Sequence, residues 1–210
     1  MYAGGMRLAS NELVALLIAT SFAAGLNVYA TVATLGLLGH AGLLSLPPAL
    51  QVLSSWYVIA ASSLLFLVEF FADKVPAFDL IWNALHTFIR VPIAAILAYR
   101  ATAQLSASEQ VICTLAGGAI ALAAHGGKTA ARAAVTPSPE PFSNIGLSAG
   151  EDVAAVGLVW LASKHPYIAA AITVSMLIVI IGLTRWILRA MKSLFRGAEK
   201  RLDRPANAKT

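Results

Sequence analysis

Long apolar blocks separated by short polar stretches run through the chain: Leu13 to Leu38, Trp56 to Phe71, Ile81 to Tyr99, Val111 to Val135, Val153 to Ala162 with its flanks, and Ile168 to Leu188. A helix needs roughly 20 residues to cross a hydrocarbon core about 30 Å thick. The pattern therefore predicts an all-α, polytopic membrane protein with about six transmembrane helices. Two blocks fall short. Val153 to Ala162 spans only with help from Gly146 to Asp152, and the block from Ile81 carries His86 and Arg90, so both are expected to face protein or water. The first block follows Arg7 and Glu12, is too long for a signal-peptide core and has no convincing small-residue cleavage site. It is expected to stay as a span.

Composition agrees: 59% hydrophobic and 12% charged residues, with a mean hydropathy of +0.77, exclude an ordinary water-soluble domain. The formal charge of +5 and pI of 9.6 come from Arg185, Arg189, Lys192, Arg196, Lys200, Arg201 and Arg204 near the C-terminus. The first four recur at helical spacing opposite Ile187, Leu188, Met191, Leu194 and Phe195, the pattern of an amphipathic helix lying on anionic lipids. With no recognition module beside it, this charge predicts lipid-bilayer contact and no nucleic-acid partner. The loop from His40 to Ser55 has no charged residue apart from His40, so the lysine and arginine bias places both termini in the cytoplasm. The expected organisation is one transmembrane domain, 1–190, followed by a basic cytoplasmic tail, 191–210. Homo-oligomerisation is compatible with it.

A shift of 90 residues aligns Ala72, Lys74 and Pro76 with Ala162, Lys164 and Pro166, Pro47 with Pro137, and Gly36 with Gly126. Many transporters consist of two three-span halves in opposite orientation. An inverted three-plus-three repeat, with halves 1–105 and 106–190, is a candidate, although the charged positions mostly do not agree. The single Cys113 excludes an intrachain disulfide and a cysteine metal cluster. No phosphate-binding loop, dinucleotide fingerprint, zinc-protease pair or nucleophile elbow occurs, and no tight metal-ligand spacing joins the histidines to the carboxylates. No cofactor or metal is expected.

The informative chemistry lies between Glu69 and Asp152. An ionisable group in a spanning helix costs several kcal/mol unless it finds a partner or water, so it marks a candidate functional site. Glu69 and Asp73 share one helix face, with Lys74 beside them. Asp79, Asn83, His86 and Arg90 form a stripe on the third span, and His125, Lys128 and Arg132 one on the fourth. The stretch Thr136 to Asn144, with three prolines and Glu140, is expected to be a turn or re-entrant loop. Ser148 and Glu151 then read as a capping box opening the fifth span, with Asp152 next to it. Gly126-Gly127, after His125, is a place where the fourth span could break. Asn27 and Tyr29 read as interhelical hydrogen-bonding groups. These polar residues are binding or pathway candidates: Arg90, Lys128 and Arg132 would receive an anionic group while Glu69, Asp73 and Asp152 hold the bases in position. The competing reading is a set of charge pairs that keep the helices in register.

At Gly25-Leu-Asn-Val-Tyr29, Glu69-Phe-Phe-Ala-Asp-Lys-Val-Pro76, Asp79 to Arg90, Ala124-His-Gly-Gly-Lys-Thr-Ala-Ala-Arg132 and Ser138-Pro-Glu-Pro-Phe-Ser-Asn144 with Ser148 and Glu151-Asp152, the chain resembles a bacterial membrane family known as domain of unknown function 4126. Val91 before Pro92 departs from that pattern. The resemblance implies a multi-span helical fold in the bacterial inner membrane and attaches no reaction to it. Three function classes follow. The first is a transporter or channel for a small ion, solute or lipid head group. The second is a non-catalytic membrane scaffold. The third, less favoured, is a membrane enzyme using His86 or His125 beside Glu69 or Asp152.

Overall fold

The computed structural model describes residues 10–74, 76–135 and 141–202, with side chains chiefly over 11–74, 82–132 and 145–186. Helix starts follow local chemistry. Ser55 caps one helix through its side chain, which accepts from Val58 N at 3.4 Å. Pro76, Pro141 and Pro166 each occupy a first helical position, where a missing N–H is no loss and the fixed φ suits the helix. The order is α1 (Ser10–Leu26), α2 (Val28–His40), a 3-10 segment (Pro48–Ser54), α3 (Trp56–Ala72), α4 (Pro76–Ala101), α5 (Ala107–Val135), α6 (Pro141–Lys164) and α7 (Pro166–Leu202). No strand occurs among the described residues, so the all-α expectation holds.

α1 is the central helix, packed against α4, α5, α6 and α7, while α2 packs on α3 and α6. Small residues make this crowding feasible. Ala19, Ala23 and Phe22 of α1 are fully buried with Ala124, Ala155, Val159 and Ala169 from three neighbours. At Gly25 a Cβ would lie 2.4 Å from Ala121 O and 2.7 Å from the Ala124 Cβ, so α1 and α5 touch backbone to backbone there. Gly25→Val is therefore expected to lower stability by about 1–3 kcal/mol. Gly126→Ala, whose Cβ meets nothing within 4 Å, should change it by less than about 1 kcal/mol. Thermal unfolding in detergent compares them, and equal midpoints would contradict the close α1–α5 contact.

Polarity is distributed inside out. Leu64, Val68, Phe71, Phe88, Ile112, Leu115, Val153, Ile178 and Trp186 are exposed, whereas Glu69, Asp73, Arg90, Lys128 and Arg132 are buried. Water does not favour so large an apolar surface, but hydrocarbon does. Three helical stretches are long and apolar enough to cross a membrane: Ala107–Arg132, Ile145–Lys164 and Pro166–Trp186. A fourth arises if the 3-10 segment and α3, bent by 64°, form one span.

The expectation of six clear spans is thus reduced to three or four, for identifiable reasons. The block Leu13 to Leu38 is not continuous, because the helix is interrupted at Asn27, leaving pieces of 17 and 13 residues. α4 has the length, with 26 residues, but carries Asp79, His86, Arg90 and Arg100. Two further expectations fail locally. α5 runs unbroken through Gly126-Gly127, and α6 starts at Pro141, so Ser148 lies two turns inside it and caps nothing. Within the looplike stretch expected over Thr136 to Asn144, residues 136–140 lie outside the described residues, and helix has already begun at Pro141. α7 passes from the apolar stretch into the basic one without a break, with Arg189 and Lys192 exposed.

Candidate functional site

The interruption at Asn27 organises the polar interior. Asn27 has extended backbone (φ −149°, ψ 104°), and its Oδ1 accepts from Ala30 N at 2.9 Å, capping α2. Its Nδ2 donates to Asp152 Oδ1 at 2.8 Å. One side chain thus ties the start of α2 to α6. The break also removes the normal helical partners of the last α1 carbonyls, where the helix dipole is negative. Cations from two other helices take these up: Lys128 Nζ donates to Leu26 O at 3.2 Å, and Arg90 Nη1 lies 3.5 Å from Gly25 O.

Around this point α3, α4, α5 and α6 deliver the charged stripes. Arg90, fully buried, pairs through Nη2 with Glu69 Oε1 and through Nη1 with His125 Nδ1 at 2.8 Å. A guanidinium only donates, so His125 Nδ1 accepts and the proton sits on Nε2, which faces Asn83 O at 3.1 Å and Thr87 Oγ1 at 2.8 Å. That arrangement makes His125 neutral. His86 Nδ1 donates to Trp82 O at 2.8 Å, leaving Nε2 to accept from Tyr29 OH at 3.3 Å, and Tyr29 meets the His86 ring edge-on.

Lys128 sits between three carboxylates: Asp73 Oδ2 and Glu151 Oε2 at 3.2 Å, and Glu69 Oε1 at 3.8 Å. Arg132 joins the same two nearer acids, with Nη2 2.8 Å from Asp73 Oδ2 and 2.5 Å from Glu151 Oε2. At Asp73, just beyond the end of α3, burial opposes ionisation, yet Lys128 and Arg132 outweigh it and hold the carboxyl below the usual aspartate value. Asp152 is the acid left out. It makes no ion pair among the described residues, and its buried Oδ2 has no hydrogen-bond partner.

Most sequence-derived candidates therefore converge: Glu69, Asp73, Arg90, His125, Lys128, Arg132 and Glu151 form one buried network, with His86 buried beside Tyr29, Asp152 held by Asn27, and Ser148 fully buried one turn before Asp152. Lys74 does not join by contact. It is half-buried, its Nζ donating to Phe70 O at 2.8 Å and resting over the Phe70 ring. The side chains of Asp79 and Asn144, and Glu140 altogether, lie outside the described residues. The residue whose weight was missed is Asn27. Its setting between Gly25 and Tyr29 signalled a polar group in mid-span, but not a helix break.

An apolar exterior, a charged centre and an interrupted central helix are consistent with a helical membrane protein. The chain belongs to the family described as Domain of unknown function (DUF4126), whose profile matches residues 14–186, a stretch that contains the whole described network. No curated protein matches the chain, and no solved structure does.

Proposed function

We propose that the protein is a transporter or channel in the bacterial inner membrane, moving a small ion, solute or lipid head group through the charged centre. The observation that carries this reading is the break at Asn27. Transporters place binding sites at discontinuous helices because freed backbone groups and half-helix ends can meet a ligand there. Here the break lies at the end of the helix that α4, α5, α6 and α7 all pack against, and two of its last carbonyls are met by side-chain cations rather than by backbone donors.

In this reading α1 and α2 together make one span, and α3 to α7 make five more, with both termini cytoplasmic. The exposed Arg185, Arg189 and Lys192 lie against anionic lipid. The repeat gains some support. Helix starts at Pro76 and Pro166 keep the 90-residue offset, and the helices before them end at Ala72 and Lys164, two residues off it. The scaffold alternative draws on the dense pairing around Lys128 and Arg132, which would serve a purely structural core equally well.

Purified protein in proteoliposomes, assayed against a panel of inorganic ions, small charged solutes and fluorescent lipids, separates the two. Protein-dependent flux is expected, and Glu69→Gln, which removes a charge while keeping shape, should reduce it about tenfold or more. Absence of flux across the panel, or full flux in a folded Glu69→Gln variant, overturns the transport reading.

A further inference from the structure

We infer that Asp152 is a proton-binding site linked to the α1–α2 interruption, so that the ligand of this part of the network is one proton exchanged with water; its role in coupling rests on the transport reading above.

Direct charge pairing is the first argument. Among the described side chains, Glu69, Asp73, Glu151 and Asp152 face Arg90, Lys128 and Arg132, with Lys74 at the edge within electrostatic range of Asp152 and His125 neutral by its hydrogen bonds. The three inner cations are engaged by the first three acids, and a buried carboxyl without a direct counter-ion is the one a proton neutralises most readily. Geometry makes Asp152 that carboxyl. Glu69, Asp73 and Glu151 each have a cation within 3.2 Å, whereas Asp152 has only the amide of Asn27. It is 6% exposed, its Oδ2 is unpartnered, and Ser148, one helical turn earlier on the same face, is 0% exposed with an unpartnered Oγ.

The surroundings are those of an acid whose charge is finely set. α3 brings Glu69, Asp73 and Lys74 within electrostatic range, α5 brings Lys128, and Asn27 approaches from the α1–α2 junction. Glu151 beside it is engaged by Arg132 and Lys128, Tyr29 of α2 is turned to His86, and Arg185 of α7 is exposed on the groove shared with α5. A proton needs one oxygen, and no group of three metal-ligating side chains converges among the described residues.

The step balances simply. Hydronium gives its proton to Asp152 Oδ2, an O–H bond forms, water is released, and no electron changes hands. The consequence falls on Asn27. Its Nδ2 bond to Oδ1 loses the assistance of a full negative charge, while its Oδ1 still caps α2. Protonation thus loosens the tie between α6 and the helix break without dismantling the break.

Infrared difference spectra of the full-length protein in proteoliposomes, taken between about pH 4 and pH 9, test this. The expected result is a carbonyl band of a protonated carboxylic acid that titrates and is absent in Asp152→Asn. Asn27→Ser keeps a good helix cap but loses the amide donor, so the midpoint should rise by about one pH unit. If Asp152→Asn does not fold, labelling the aspartate carboxyls with carbon-13 serves instead, and the band should shift. A band that persists in Asp152→Asn, ignores the label, or keeps its midpoint in Asn27→Ser overturns the inference. Solute flux without any titrating band removes the proton site but leaves transport standing. A band lost in Asp152→Asn without flux of any solute keeps the proton site and removes transport.

Discussion

Lys128→Met is expected to be among the most damaging single substitutions in the protein, lowering stability by about 3–5 kcal/mol. Against a total stability of about 5–15 kcal/mol, that is enough to reduce the yield of folded protein severely. Methionine nearly reproduces the lysine stem, so the change removes charge and hydrogen bonds rather than volume. What it leaves behind decides the magnitude. Asp73 and Glu151, each 3.2 Å from the ammonium, and Glu69 at 3.8 Å lose a shared counter-charge, and Leu26 O at the end of α1 loses its donor. All are buried, so water cannot replace the cation. Combining Lys128→Met with Glu151→Gln should recover part of the loss, because one charge leaves with the other and Arg132 still serves Asp73 at 2.8 Å. Monodisperse yield and thermal midpoint in detergent measure both. A single variant as stable as wild type would mean that the charges do not depend on one another.

The residues that make this network were legible because charges inside apolar blocks are anomalous wherever they occur. Spacing alone put Glu69 with Asp73, and His125 with Lys128 and Arg132, on common faces. What spacing could not supply was the convergence point. Leu13 to Leu38 reads as one apolar run, and an asparagine in a helix is ordinary. The break is supported by Lys128 and Arg90, about 100 and 65 residues away in sequence, which arrive at the freed carbonyls, and by the cap of Asn27 itself. The capping box failed for the same reason. Ser148 and Glu151 have the right separation, but Pro141 starts the helix earlier, and Glu151 is committed to Arg132 and Lys128. Gly126-Gly127 offered a weak point that α5 does not use, since packing can carry a helix through residues of poor propensity.

The pair Glu69–Arg90 gives the second large effect, and the pattern across variants says more than either single loss. Arg90→Met and Glu69→Leu should each cost about 3–5 kcal/mol, because each strands a fully buried opposite charge. The neutral double variant should return to within about 1–2 kcal/mol of wild type, giving a coupling energy larger than either single loss. Exchanging the charges, Glu69→Arg with Arg90→Glu, should not rescue. Arg90 also donates to His125 Nδ1 at 2.8 Å and faces Gly25 O, and a carboxylate at that position can donate to neither. A simple pair of register-holding charges predicts the opposite, that exchange works as well as neutralisation. The neutral double variant then separates structure from function. It should fold with Glu69 and Arg90 both gone, so any flux missing from its proteoliposomes reports the work of those charges and not the loss of the helices that carry them.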